Sequence, residues 1–263
     1  TSRAMPSSRL PPAAPADLHV EHLLDSGSLG VRVVHCAGRC RQRSAEEAQD
    51  STLLVLPFRG VYIRHVGREQ AVADANQAVL FNAGEDYRVS HPVAGGDDSL
   101  VVAAAPDVLC QVVDPGRLQP GAVPRFRELA LRIDARTQLL ATRLRLGLTR
   151  RAIEPMQAEC LALALLASTF GAGAPRDPRL TAGRRRLVDR AKQLIGADPS
   201  RRWRLQEIAG HVGSTPIYLT QSFSAVEGLP LYRYQLRLRL ASALTRLADT
   251  DNLAALAQEL GFS

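Results

Sequence analysis

Cysteine and histidine side chains near the start of the chain form the first group that could do chemistry. His35, Cys36 and Cys40 fall close together, and Cys110 could join them in the folded protein. Thiolate and imidazole groups are preferred ligands of Zn²⁺, and cysteines can also act as redox switches. Cysteines that only fill space in a core are the commoner outcome. The pattern therefore predicts a metal or redox site at His35, Cys36 and Cys40 as a secondary hypothesis.

Residues near the C-terminus have the spacing of two short helices joined by a tight turn. Each helix has apolar positions that recur at i, i+3, i+4 and i+7, as on one buried face. They are Leu205, Ile208, Ala209 and Val212 in the first helix, and the template is repeated at Leu219, Ser222, Phe223 and Val226 in the second. Gly213 can end the first helix, while Thr215 and Pro216 can begin the second. This arrangement presents the second helix to the major groove of DNA.

The first half of this unit recurs further along the chain. The recurring residues, each 48 positions after its counterpart, are Leu253, Leu256, Ala257, Leu260 and Gly261. A long helix lies between the copies, with a predicted buried face at Tyr234, Leu238, Ala241, Leu244 and Ala248. Its other face is expected to display Arg233, Arg237, Arg239 and Arg246. The period predicts two similar helical units on either side of a connecting helix.

Two helix-turn-helix units joined by a long helix resemble the DNA-binding domain of the AraC/XylS family of transcriptional regulators. The resemblance is carried by LQEIAGHVGSTPIYLTQSF, by EGLPLYRYQLRLRLASALTRLAD and by LAALAQELGFS. It implies binding to double-stranded DNA and, as in the family, contact with RNA polymerase. Family members continue with a second recognition helix, which the resemblance places after Ser263. The second unit is therefore expected to be incomplete in this sequence.

The resemblance also assigns roles to residues of the first recognition helix. Base contacts in the family come from its exposed face, which corresponds here to Ile217, Thr220 and Gln221. Glutamine can pair with adenine, and the methyl groups of isoleucine and threonine can contact that of thymine. The residues expected to contact phosphate are Thr215, Arg233 and Arg237. Gln221, Ser224 and Ala225 stand where the family is commonly basic, so phosphate contact from this helix should be weaker than in a typical member.

Upstream of these helices, the chain has short apolar runs that are broken by turn residues. The runs lie between Asp17 and Val113 and read VRVVHC, TLLVLPF, VYIRHV, AVLFNA, YRVSHP and SLVVAA. Short strands at such regular spacing favour an antiparallel barrel or sandwich. From Pro124 to Phe170 the spacing becomes helical, which predicts two helices packed on the barrel or on a second subunit.

The strand-rich segment resembles the cupin-type sensor domain of many AraC/XylS members, notably in FRGVYIRHVGREQAVADANQAVLFNAGEDYRVSHP. The resemblance implies a barrel that binds a small effector, and the candidate pocket residues are Arg64, Tyr87 and His91. Cupin enzymes carry a paired His-x-His with a downstream Glu and a further His, whereas His65 and His91 stand alone here. Catalysis by such a centre is therefore not expected, and no cofactor is predicted.

Composition and charge agree with a globular, DNA-binding protein of two domains. A chain of 263 residues with 46% hydrophobic content can bury two cores. Its net charge is +7, and residues 181–263 carry twelve basic and seven acidic residues, a net charge of +5. A basic segment of this kind suits contact with phosphates. The sequence has no apolar window that predicts a membrane span and no signal peptide, so a cytoplasmic location is expected.

These observations predict an α+β fold, in which an antiparallel, cupin-like β-barrel with following helices precedes an all-α double helix-turn-helix domain. The predicted bounds are 1–16 for a disordered leader, 17–170 for the sensor and dimerisation domain, 171–181 for a linker rich in Gly and Pro, and 182–263 for the DNA-binding domain.

Three functional hypotheses follow from this organisation. The leading one is a transcriptional regulator that acts as a homodimer and is controlled by a small effector or by dimerisation. The first alternative is a cupin-type metal enzyme with a helical regulatory tail. The second is an interaction protein whose incomplete second unit no longer reads DNA.

Overall fold

The computed structural model describes residues 18–121, 123–172 and 180–262. The leader predicted over 1–16 and most of the predicted linker lie outside these ranges. Residues 18–172 contain all the described strands and are called the barrel region below, and residues 180–262 are called the helical region. The predicted α+β class is confirmed.

The strands of the barrel region form three antiparallel sheets. Their bounds are β1 (Leu18–Asp25), β2 (Leu29–Cys36), β3 (Leu53–Gly60), β4 (Tyr62–Val66), β5 (Glu69–Ala73), β6 (Gln77–Phe81), β7 (Arg88–Ser90), β8 (Asp97–Ala104), β9 (Leu118–Gln119), β10 (Arg125–Phe126) and β11 (Ala130–Arg132). The largest sheet has the order β1-β2-β8-β3-β6-β11, a second has the order β5-β4-β7, and β9 pairs with β10. β1, β5, β9, β10 and β11 lie outside the predicted runs.

The helices from α2 onwards follow the last strand, in the order that the sequence predicts. Their bounds are α1 (Pro106–Val112), α2 (Ala135–Thr149), α3 (Pro155–Ala172), α4 (Ala182–Ala197), α5 (Leu205–His211), α6 (Pro216–Glu227), α7 (Leu231–Arg246) and α8 (Leu253–Glu259). α1 was not predicted. None of the helices in the described residues has the length and hydrophobicity that a bilayer-spanning segment needs.

The central strands of the largest sheet are buried on both faces, which explains the continuous apolar run of β3. Val55 lies opposite Val101 and Val79 on the neighbouring strands, and this inner face packs with Tyr62 and Tyr87 inside the barrel. Successive residues of a strand point to opposite faces. The residues of the outer face therefore pack against α2 and α3, as predicted for this pair of helices; they include Leu54, Leu56, Leu80 and Leu100.

The prediction of helix from Pro124 onwards is wrong for its first part. Residues 125–126 and 130–132 are strands, and α2 begins only after Asp134, whose carboxylate accepts a hydrogen bond from the Thr137 amide at 2.8 Å. Leu131 and Ile133 are buried at a spacing of two, which is the period of a strand. The same segment also contains apolar residues three and four positions apart, so the sequence pattern alone fits both structures.

The two regions contact each other through buried polar side chains, here called the interface cluster. Its members are Asp74, Asn76, Gln77, Lys192, Glu227 and Tyr234. The Tyr234 hydroxyl donates to the Asp74 carboxylate, and the Asn76 amide donates to the Tyr234 carbonyl at 3.0 Å. Lys192 Nζ lies 3.2 Å from Glu227 Oε1. The barrel therefore contacts α4, α6 and α7 through groups that are shielded from water.

Candidate nucleic-acid interface and barrel interior

α5 and α6 form a helix-turn-helix whose turn is fixed by local residues. Gly213 adopts a left-handed conformation at φ +66°, where a side chain would be strained. The Thr215 hydroxyl then accepts a hydrogen bond from the Tyr218 amide at 3.2 Å, and Pro216 is the first residue of α6. The predicted turn and helix start are confirmed.

The second copy of the pattern reproduces the backbone hydrogen bonds of the first. The amide of Ser214 donates to the carbonyl of Ala209 at 2.9 Å, and the amide of Phe262, 48 residues later, donates to that of Ala257 at 2.9 Å. Gly213 and Gly261 both have positive φ. The sequence repeat is therefore a structural repeat up to the end of the second turn.

The buried face of the helix-turn-helix differs from the prediction at one position in each copy. Ile208, Val212 and Phe223 are buried, but Leu205 is 40% exposed and Leu253 is 60% exposed. Each exposed leucine is the first residue of its helix. Since helical side chains tilt toward the N-terminus, these leucines extend past the end of the packed face.

The predicted reading residues share one exposed face of α6. Ile217 is 73% exposed, and Thr220 and Gln221 are also exposed. The Thr220 hydroxyl donates to the Pro216 carbonyl at 2.8 Å, so its methyl group is what this side chain can still offer to a ligand. Gln221 has no hydrogen-bond partner among the described residues, which leaves its amide group available.

The arginines of α7 are in three different environments. Arg233 is exposed, whereas Arg237 is half-buried and points Nη1 toward the Ile133 carbonyl of the barrel region at 3.5 Å. The prediction that Arg239 is displayed is wrong. It is buried, and it donates to the carbonyls of Pro199, Arg201 and Gly261 at 2.9–3.0 Å. Arg233 is therefore a better candidate than Arg237 for contact with phosphate.

A further arginine near α6 was not singled out from the sequence. The Arg184 guanidinium lies 5.7 Å from the centre of the Tyr218 ring on α6. The signal in the sequence is the arginine run at the start of α4, but only the packing of α4 against α6 brings it to this surface.

Two of the three predicted pocket residues lie together inside the barrel. Arg64 is completely buried, with its guanidinium 4.2 Å from the centre of the Phe81 ring, 5.7 Å from that of Tyr87 and 2.6 Å from a Glu85 oxygen. Burial lowers the pKa of Arg64, and Glu85 opposes this change. Burial also raises the pKa of Tyr87 to about 12. Arg64 is therefore a charge enclosed by the barrel wall, and its Nε and Nη1 atoms have no hydrogen-bond partner within the described chain.

The third predicted pocket residue, His91, lies in a different group. Its ring centre is 6.0 Å from that of Tyr62, and its Nε2 is 2.7 Å from Asp97 Oδ1. Burial would lower the pKa of His91, but the hydrogen bond to Asp97 and the neighbouring Cys36 sulfur raise it to about 9. His91 therefore contacts a different set of side chains from Arg64 and Tyr87.

The structure does not bring His35, Cys36 and Cys40 together as a metal site. His35 and Cys36 are neighbours on β2, so their side chains point to opposite faces of the sheet. His35 Nδ1 pairs with Asp98 at 2.8 Å, and Cys40 is exposed. The four cysteines are free, and Cys110 is exposed on α1.

A cavity opens at one mouth of the barrel. Its volume is about 480 Å³, and its walls include Arg32, Thr52, Val101, Ala103 and Pro124. None of the predicted pocket residues Arg64, Tyr87 and His91 lines it. Arg32 lies opposite Val101 on the inner face of the sheet, and its Nε is buried without a hydrogen-bond partner among the described residues. The lining of this cavity is mixed, because Asp25 and Asp50 belong to it as well as Arg32 and the apolar residues.

Comparison with known proteins gives no match at the level of sequence families. No protein-family model matches the chain, and no curated protein is similar to it. Among solved structures, an apo form of a ToxT variant from Vibrio cholerae is 12% identical, and the match covers 91% of this chain and 90% of that one with a TM-score of 0.41.

Other solved structures match the barrel region alone. The Cupin_2 domain of an XRE family transcriptional regulator from Enterobacter cloacae is 14% identical over 34% of this chain and 98% of that one, with a TM-score of 0.29. A putative mannose-6-phosphate isomerase from Ralstonia eutropha is 15% identical over 36% of this chain and 90% of that one, with a TM-score of 0.30. At such low scores these likenesses carry no argument about function.

Proposed function

We propose that this protein is a transcriptional regulator of the AraC/XylS type that reads double-stranded DNA with α6. The observation that supports the proposal most is the exposed face of α6 in a helix-turn-helix whose other face is fully packed. Ile217, Thr220 and Gln221 remain open to solvent although the barrel contacts the opposite end of the same helix at Glu227. The major groove admits a helix presented in this way.

Each exposed residue has a distinct role in this proposal. The Gln221 amide pairs with adenine, and the methyl groups of Ile217 and Thr220 contact a thymine methyl. Thr215 and the first amides of α6 hold one phosphate, because a helix N-terminus attracts anions. Arg233 contacts a second phosphate from α7. RNA polymerase is the expected partner of such a regulator on its promoter.

The barrel region is the sensor in this proposal. A small effector occupies the 480 Å³ cavity in this proposal, and the lining offers it Arg32, Asp25 and Asp50 beside apolar walls. α2 and α3 leave apolar side chains at the surface, with Leu139 45% exposed and Met156 77% exposed. A second copy of the chain would cover them in a homodimer. The effector then shifts the population between arrangements of two reading helices.

The test begins by selecting binding sites from random double-stranded DNA with the full chain. Gln221→Ala is then titrated against the selected site and against random DNA, with Gln111→Ala on the exposed face of α1 as the matched control. Loss of the amide should cost about 1–3 kcal/mol on the selected site and little on random DNA. Equal losses on both DNAs, or failure to enrich any sequence, would refute the assignment.

A further inference from the structure

Three side chains with different donor atoms converge at one end of the barrel. Cys36 is the last residue of β2 and Asp97 is the first of β8, and the two lie directly opposite each other in the antiparallel ladder. Their side chains therefore point to the same, inner face. His91 follows β7 in the other sheet, and one potential ligand atom from each of the three residues lies within 4.8 Å of the others.

The surroundings of this group hold its members in place. His91 and Asp97 are 3% and 5% exposed, while Cys36 is half-buried, so the group has one side open to solvent. The Ser99 hydroxyl donates to Asp97 Oδ2 at 3.1 Å and orients the carboxylate. The His91 amide donates to the Cys40 carbonyl at 2.7 Å, which fixes the loop after β2 beside the imidazole.

The backbone approaches the group so closely that it leaves no room for an extra side chain. Gly96 has φ +66°, and a Cβ atom on it would overlap the Cys36 carbonyl oxygen. The end of β2 and the turn before β8 are therefore in direct contact. This contact positions Cys36 and Asp97 independently of how the loops beyond them are arranged.

We infer that Cys36, His91 and Asp97 form a Zn²⁺ site. Sulfur, imidazole nitrogen and carboxylate oxygen are the three ligand types that proteins use for zinc, and three protein ligands leave one of four tetrahedral positions for water. The half-buried side of Cys36 provides that open position. Cys36 and Asp97 belong to the six-stranded sheet, and His91 follows a strand of the three-stranded sheet. The ion would therefore link these two sheets.

The experiment measures zinc binding by the full chain, independently of DNA. Metal-free protein is titrated with Zn²⁺ in competition with a chromophoric chelator, and in parallel with Co²⁺ to record absorption. We expect one equivalent of tightly bound metal and a thiolate-to-Co²⁺ charge-transfer band in the near ultraviolet. Cys36→Ser should abolish that band and weaken Zn²⁺ binding at least about tenfold. Mutation of a group that only supports a ligand lowers metal affinity about 10–100-fold, and loss of the ligand itself should lower it by no less.

Matched controls separate loss of a ligand from loss of the fold. Cys110→Ser and Cys160→Ser remove exposed thiols on α1 and α3 and should bind zinc as the unmodified chain does. Zn²⁺ should also protect Cys36, but not Cys110, from alkylation in the unmodified protein, which requires no variant. Absence of a one-to-one complex, or alkylation of Cys36 at the same rate with and without Zn²⁺, would overturn the assignment.

Discussion

The N-terminal half and the last turn of α6 place polar groups in opposite environments. Gln221 lies in the exposed face and has no partner among the described residues, whereas Glu227 at the last turn is buried beside Lys192 and accepts from Gln77 at 3.3 Å. An exposed amide keeps its hydrogen bonds for a ligand, while a buried carboxylate must have its partners inside the protein. The contrast shows that one helix serves two purposes, since one end faces the solvent and the other is fixed to the barrel.

The largest expected effect follows from removing the cation that pairs with Glu227 at the buried end of α6. Lys192→Met leaves the Glu227 carboxylate without its cation, and removal of one partner of a buried pair costs about 3–5 kcal/mol of unfolding free energy. Denaturation in urea measures the loss. The double variant Lys192→Met with Glu227→Leu should recover most of it, because an apolar pair of similar size is tolerated there. A double variant no more stable than the single one would contradict the description of this pair.

A smaller effect is expected from the hydroxyl that joins the two regions. Tyr234→Phe removes the donor to Asp74. Among the described residues, this leaves only the backbone N–H of Asn76, at 2.9 Å, as a donor to that carboxylate. Loss of one partner of a buried acceptor costs about 1–3 kcal/mol. Tyr232→Phe, on a ring of the same helix that is 66% exposed, is the control and should stay within about 0.5 kcal/mol. Equal changes in the two variants would show that the Asp74 contact contributes nothing.

Arg233 and Arg237 of α7 allow an exposed arginine to be compared with one that is directed to the barrel region. Arg233→Ala should weaken binding to every DNA sequence and reduce the slope of log affinity against log salt by about 1, because one phosphate contact is lost. Arg237→Ala should leave that slope unchanged, since its guanidinium is directed to the barrel region. Fluorescence anisotropy with labelled DNA at several salt concentrations distinguishes them, and a reversed order would reassign the phosphate contact to Arg237.

The pH dependence of stability tests the interface cluster through the buried carboxyl group of Asp74. Burial raises the pKa of Asp74 above its ordinary value of 3.8; Lys192 and the Tyr234 hydroxyl oppose this, and Glu227 adds to it. The folded protein then holds this proton more tightly than the unfolded chain does. The contribution of Asp74 to the free energy of unfolding is therefore greatest below 3.8 and falls as pH rises through the raised pKa. The difference in stability between the unmodified chain and Asp74→Asn should fall in the same direction, and a constant difference would contradict the shift.

The helix-turn-helix could be predicted because its determinants are local. The turn glycine, the capping threonine and the apolar spacing lie within one segment, and each acts on residues a few positions away. The exposure of Ile217 and Gln221 follows from the same helical period. Leu205 is the exception, because the period specifies the face of a helix but not where packing begins along it.

The interface cluster and the group of Cys36, His91 and Asp97 could not be predicted in the same way. Asp74 and Tyr234 are 160 residues apart, and no local pattern relates them. Cys36 was grouped with His35 because they are adjacent in the sequence, but the alternation of a strand separates their side chains. The pairing of Cys36 with Asp97 depends on the register between β2 and β8, which only the assembled sheet defines.

The anchoring of α6 at Glu227 has a mechanical consequence. Gln221 lies six residues before Glu227, about 9 Å along the helix, so a tilt of about 6° at the anchored end moves it by about 1 Å. Hydrogen bonds to base edges tolerate less displacement than that. In the proposed complex with DNA, a rearrangement of the β5–β6 turn that tilts α6 by this amount would therefore break the contact of Gln221 with its base.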